Sequence, residues 1–206
     1  MTSAAPVKHR YSTRLLLSAA AIGAAGGLLV VGLNYALIAV PPSTLSYSIY
    51  SATIGAWAIG PLIAMALFRL PGIAFLSTLF AAVINFLAPA GFGQFTTMLI
   101  AGVLIELPFA VTLYRRWSDR FFWIAYPVSL ALMSLAYFAS CLAAGAIESA
   151  VFFPWIAIGT LVLTVAVVVG FTWIPLRVAA QLRAAGLGAR STDRVVVPAE
   201  DPAAAE

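Results

Sequence analysis

The residue best placed to do chemistry is Glu106. It lies inside an apolar run from Gln94 to Arg116, and no other Asp, Glu, Lys, Arg or His sits as deep in an apolar stretch. A charged side chain at that depth costs at least ~2.5–3.5 kcal/mol, so it is normally met by a partner, a cavity or a ligand. Gly102 and Ala110 flank it one helical turn to either side, which puts the carboxylate on a narrow face that a neighbouring helix can approach. Two readings follow. The carboxylate faces a ligand, or it is a buried acid hydrogen-bonded to another helix.

The other reactive side chains exclude more than they offer. His9 is the only histidine and lies in the N-terminal tail, while Cys141, the only cysteine, lies in an apolar run. A His-dependent catalytic triad, a His-ligated metal centre and a disulfide framework therefore have no raw material. An intramembrane enzyme would need a nucleophile–base pair, and the apolar runs offer only scattered Ser and Thr, Cys141 and Glu106. No catalytic residue, metal ligand or cofactor is expected.

The elements that must position Glu106 are apolar helices. The chain has 206 residues, of which 63% are hydrophobic and only 9% charged, with a mean hydropathy of +1.04. A soluble domain carries roughly 25% charged residues to keep its surface solvated. The expected fold is an all-α integral membrane protein with six transmembrane helices. The spans run from about Ser12 to Val40, Tyr47 to Phe68, Ile73 to Ala88, Gln94 to Arg116, Phe121 to Gly145 and Val151 to Arg177. Residues 1–11 form a basic tail, 12–178 the membrane domain, and 179–206 a second tail. Beyond about residue 186 that tail is too poor in apolar residues to fold. The first span is too long for the apolar core of a signal peptide, so it reads as a retained helix.

Charge sets the orientation. All 11 Lys and Arg fall on one side of this six-span scheme: the N-terminal tail, Arg69, the turn after the fourth span and the C-terminal segment. By the positive-inside rule both termini of this multi-pass chain are cytoplasmic. The same distribution explains the net charge of +4 without nucleic acid.

Most polar residues within the spans then lean towards the outer half. Asn34, Tyr50, Asn85, Gln94, Tyr137, Glu148 and Trp155 fall there, with Trp57 and Glu106 nearer the middle. At 1.5 Å per residue Glu106 is about 18 Å below Gln94. Together these nine residues are the candidate substrate-binding set. They suggest an aromatic, amide-lined cavity open to the outside, suited to a small flat polar molecule. With no Lys, Arg or His in the outer half, an anionic substrate is disfavoured, and a neutral or cationic ring is favoured. On the first span, Ala19, Gly23 and Gly27 form a small-residue row that lets another helix pack closely, from this chain or from a partner protein. A purely structural subunit of a larger membrane complex is the alternative to a capture protein.

The string Trp57-x3-Pro61-x7-Arg69-x-Pro71-Gly72-x-Ala74, followed by Gly102-x3-Glu106-x2-Phe109, resembles the YkoE group of substrate-binding S components of energy-coupling factor (ECF) vitamin importers. The similarity runs over roughly residues 15 to 145. It implies capture of thiamine or its hydroxymethylpyrimidine precursor from outside. It also implies a separate transmembrane coupling subunit and cytoplasmic ATPase subunits as partners, with Ala19, Gly23 and Gly27 as the docking row. The chain contains no G-x-x-x-x-G-K-[ST] phosphate loop, so ATP hydrolysis falls to a partner. Where the family's third span tends to be acidic, this chain has Thr78 and Asn85, a departure that fits a neutral pyrimidine or another vitamin better than a thiazolium cation.

Overall fold

Runs of Leu, Ala, Ile and Val without polar interruption leave the backbone no partner but itself, and in lipid only a helix satisfies it within one segment. The computed structural model describes residues 12–38, 44–88, 91–143 and 154–187. These form six helices: α1 (Thr13–Ile38), α2 (Thr44–Phe68), α3 (Ile73–Phe86), α4 (Gly91–Val111), α5 (Asp119–Ala143) and α6 (Pro154–Ala184). Each occurs where an apolar span was expected. Among the described residues, the segments Thr13–Leu37, Gly91–Val111 and Asp119–Tyr137 are long and apolar enough to cross a membrane. Helix α3, with 14 residues, rises only about 21 Å, less than the ~30 Å hydrocarbon core.

Two boundaries differ from the sequence reading by more than about a helical turn. Helix α4 ends at Val111 rather than Arg116, because Leu113 and Tyr114 take positive φ angles of 51° and 54° and turn the chain. Helix α6 continues past residue 178 to Ala184, so the expected domain boundary falls inside a helix. Gly186, at φ 84°, follows its end, as befits a helix C-terminus.

Helix α2 is the centre of the bundle and packs against each of the other five helices. Its residues Ile54, Trp57, Ala58, Leu62, Ala64, Met65 and Ala66 are buried around its circumference, the pattern of a helix with neighbours on every side. The outer helices instead expose large apolar side chains, among them Leu17, Leu28, Val83, Ile100, Val111, Ile124 and Leu135. A contiguous surface of this kind belongs in lipid. The protein is a helical membrane protein.

Helix α1 meets α3 backbone to backbone. A Cβ built on Gly23 would collide with the carbonyl of Ser77, and one on Gly27 would come within 2.9 Å of the Ala81 Cα. Ala19 is fully buried. The pairings of residue 23 with 77 and 27 with 81 also fix α1 and α3 as parallel neighbours. Gly26 faces Gly60 of α2 in the same manner, its added Cβ 3.0 Å from the Gly60 Cα. The row Ala19–Gly23–Gly27 is therefore consumed inside the molecule and presents no free docking face. Small residues are what let three helices approach this closely.

Polar residues in the bundle are fastened locally. Thr78 donates to the Ala74 carbonyl (2.6 Å), and Ser129 to those of Ala125 (3.0 Å) and Ile105 (3.1 Å). The buried Tyr126 hydroxyl donates to the Leu62 carbonyl at 2.6 Å, tying α5 to α2.

Candidate functional site: a neutral cavity between α2, α4 and α5

Helix α3 begins abruptly. Its N-cap is Gly72, at φ 74°, which has no side chain to cap the exposed N–H groups. Glu106 of α4 supplies the cap from across the interface. Its Oε1 accepts the backbone N–H of Ala74 (2.9 Å) and of Phe75 (3.2 Å), and its Oε2 accepts the Tyr114 hydroxyl (3.1 Å). A carboxylate at a helix N-terminus meets both unsatisfied donors and the positive end of the helix dipole. The depth estimate from Gln94 misjudged the setting of Glu106. Because α3 is short, its N-terminus lies within reach of the α4 side chain.

Next to this cap the two connecting turns are locked. Arg69, at φ 52°, donates to the Trp117 carbonyl (2.9 Å) and pairs with Asp119. Its guanidinium also lies 5.7 Å from the centre of the Phe122 ring. Behind it Phe109 is fully buried, stacked on Trp117 and edge-on to Phe121 and Tyr126. This end of the bundle is closed by aromatic packing.

A cavity of about 390 Å³ lies between α2, α4 and α5. Its wall comprises Ile54 and Trp57 from α2, Gln94, Thr97, Ile100, Ala101 and Leu104 from α4, and Met133, Ala136, Tyr137 and Ser140 from α5. No charged side chain is among them. The α5 contributions recur at three- and four-residue steps, as one helical face must. Pro61 and Pro108 sit four residues after Trp57 and Leu104. Lacking an N–H, they leave the carbonyls of these two lining residues without their usual helical donor.

Three of the sequence candidates, Trp57, Gln94 and Tyr137, are brought together in this wall. Three are not. Glu106 caps α3. Asn85 donates from Nδ2 to the carbonyls of Gly27 (3.1 Å) and Ala81 (2.9 Å), fastening α3 to α1. Asn34 is half-buried on α1 and does not line the cavity. Glu148 lies outside the described residues, as do the side chains of Tyr50 and Trp155. The sequence reading did not place Ile54, Ile100, Ala101, Leu104 or Ala136 at the site, since apolar lining residues look like any other core residue. The shared face of Met133, Tyr137 and Ser140 was the available signal.

Trp57 and Gln94 carry buried polar groups. Both are buried, at 9% and 8% exposure, and neither the Trp57 Nε1 nor the Gln94 Nε2 has a hydrogen-bond partner among the described residues.

Comparison with known proteins places the chain. Residues 15–132 match the family model described as "ABC-type cobalt transport system, permease component". The chain belongs to that family. This permease family comprises transport components, not enzymes. Among solved structures, the permease resembles one titled "Crystal structure of an S-component of ECF transporter", with a TM-score of 0.65 and 19% sequence identity over 86% of this chain and 88% of that one. The two share a fold. No curated protein matches the sequence.

Proposed function

We propose that this permease is the substrate-binding S component of an ECF-type importer, capturing a small neutral aromatic vitamin or vitamin precursor from outside a bacterial cell. The observation that carries the reading is the cavity between α2, α4 and α5, whose wall among the described residues is aromatic, polar and apolar without a charged side chain. Its volume suits a single substituted ring and falls in the range of small-molecule sites. The fold shared with an S component and the transport family support the same role.

Within the sequence resemblance, hydroxymethylpyrimidine fits better than thiamine. The thiazolium cation calls for a counter-charge, and the acid that lies between α3 and α4, Glu106, is spent on α3 and Tyr114. Cobalt, which the family description names, fits less well as cargo. Among the described residues no three His, Cys, Asp or Glu side chains gather into a metal site, and cobalt favours nitrogen, sulfur or carboxylate donors. Six membrane crossings with both termini cytoplasmic place Arg69, Arg115, Arg116 and Arg120 at the inner face, following the positive-inside rule. A transmembrane coupling subunit and ATPase subunits complete the transporter.

Tryptophan-fluorescence titration of protein purified in detergent from vitamin-starved cells tests the role, with hydroxymethylpyrimidine and thiamine in parallel. Saturable quenching at nanomolar to low micromolar hydroxymethylpyrimidine, with thiamine weaker, is the expected result. A flat response to both, extending to a panel of neutral vitamins, would remove the capture role.

A further inference from the structure

Four residues of the cavity wall also belong to the outer surface of the bundle. Thr97, Ile100, Val103, Leu107 and Val111 recur at three- and four-residue steps along α4 and are all exposed, so they form its lipid-facing stripe. Two of them, Thr97 and Ile100, line the cavity as well, and Ile100 is 57% exposed. Across the gap on α5, Ala136 and Ser140 are likewise exposed and cavity-lining, beside the lipid-facing Leu135. Nearer the closed end α4 and α5 are joined. There the Ser129 hydroxyl donates to the Ile105 carbonyl (3.1 Å), and Phe109 packs on Phe122 and Tyr126. Ile100 comes nine residues after Gly91, the first residue of α4. That is a rise of about 14 Å, well inside a ~30 Å hydrocarbon core.

The chemistry of this opening decides what enters it. Ile54, Ile100, Ala101, Leu104, Met133 and Ala136 make much of the wall apolar. The two hydroxyls at the rim spend their protons on their own helices, Thr97 on the Gly93 carbonyl (2.9 Å) and Ser140 on that of Tyr137 (2.7 Å). Hydroxyl side chains are satisfied in this way where a helix meets lipid. We propose that the cavity opens sideways between α4 and α5, and that an acyl chain of a membrane lipid occupies it whenever no substrate is held. The rim is continuous with the lipid-facing stripes of both helices, so the chain reaches the cavity without leaving hydrocarbon. Its methylenes supply the dispersion contacts that the apolar wall otherwise lacks. Lipid and substrate then compete for one space. The proposal goes beyond the capture role, because the lipid contact holds or fails whatever the substrate is.

Quenching by brominated lipid tests it. The full-length protein is placed, without substrate, in nanodiscs of phosphatidylcholine whose acyl chains are either plain or brominated at mid-chain. The emission of Trp57, a residue of the cavity wall, is taken as the difference between wild type and Trp57→Phe. Bromine quenches only close to contact, so a chain in the cavity should remove at least about half of that emission. Ala136→Phe narrows the opening from an exposed position and should cut the loss by at least about twofold. Leu135→Phe, exposed but outside the cavity wall, should behave as the wild type. Thermal melting establishes that each variant is folded. Thr97→Phe, on the opposite rim, replaces Ala136→Phe should that variant fail, and total emission replaces the difference should Trp57→Phe fail. Equal Trp57 emission in plain and brominated lipid would overturn the proposal, since the cavity is then closed to hydrocarbon. Undiminished quenching in the narrowed variant would also overturn it, since bromine then reaches Trp57 by another path. Both probes are lipids, so neither outcome depends on whether hydroxymethylpyrimidine binds.

Discussion

Glu106 shows how a single side chain can be conspicuous in sequence and still belong to another part of the molecule. Its burial cost pointed correctly to a partner, but the partner is a helix end. The alternative of an acid bonded to a neighbouring helix is the one the geometry realises, with Glu106 half-buried. Nothing in the α4 sequence announces this. The need arises from Gly72, an N-cap without a side chain 34 positions earlier. Loss of a cap and its charge–dipole interaction costs about 1–2 kcal/mol. Glu106→Ala should therefore lower the melting temperature by several degrees in detergent, with ligand affinity within about twofold of wild type. A tenfold loss of affinity at an unchanged melting temperature would instead return Glu106 to the binding site. Trp57, Gln94 and Tyr137, by contrast, were legible because aromatic and amide side chains in apolar helices have few purposes other than a partner or a ligand.

At the scale of elements, all six helices could be read from apolar runs and the breaks between them, and the small-residue row on α1 was equally plain. Its use was not, because Gly23 and Gly27 invite close packing without naming the neighbour. The structure gives α3 as that neighbour, with Asn85 bonded to the Gly27 carbonyl as a polar latch. Gly23→Leu should therefore abolish monodisperse folded protein rather than spare binding and stop transport alone, since its added side chain meets the Ser77 backbone. Gly32→Ala is the matched control. An added Cβ there meets nothing within 4 Å, so it should leave the melting temperature unchanged or raise it slightly, the helix gaining up to about 1 kcal/mol. Size-exclusion chromatography and thermal melting of both variants check the pair. A folded Gly23→Leu protein with normal binding and no uptake would favour a partner face on that row.

For the whole molecule, one end is held shut by Arg69, Asp119 and the Phe109 aromatic cluster, while the cavity opens between α2, α4 and α5. A cavity paired with a closed end suits the proposed capture role, in which release requires an outside source of energy. The isolated protein in liposomes should bind its substrate and accumulate none. Uptake should appear only when a coupling subunit and ATPases are added with ATP, and accumulation by the chain alone would contradict the division of labour. Cavity shape could not be read from sequence, because it depends on which faces of three helices converge. The proposed occupant of this cavity is a small neutral heterocycle. Native mass spectrometry of protein purified mildly from vitamin-replete cells tests it most directly. The expected result is a stoichiometric adduct that dissociates as a nitrogen heterocycle without permanent charge. A bound cobalt ion, a cationic ligand, or a persistently ligand-free protein that also fails to take up added hydroxymethylpyrimidine would contradict it.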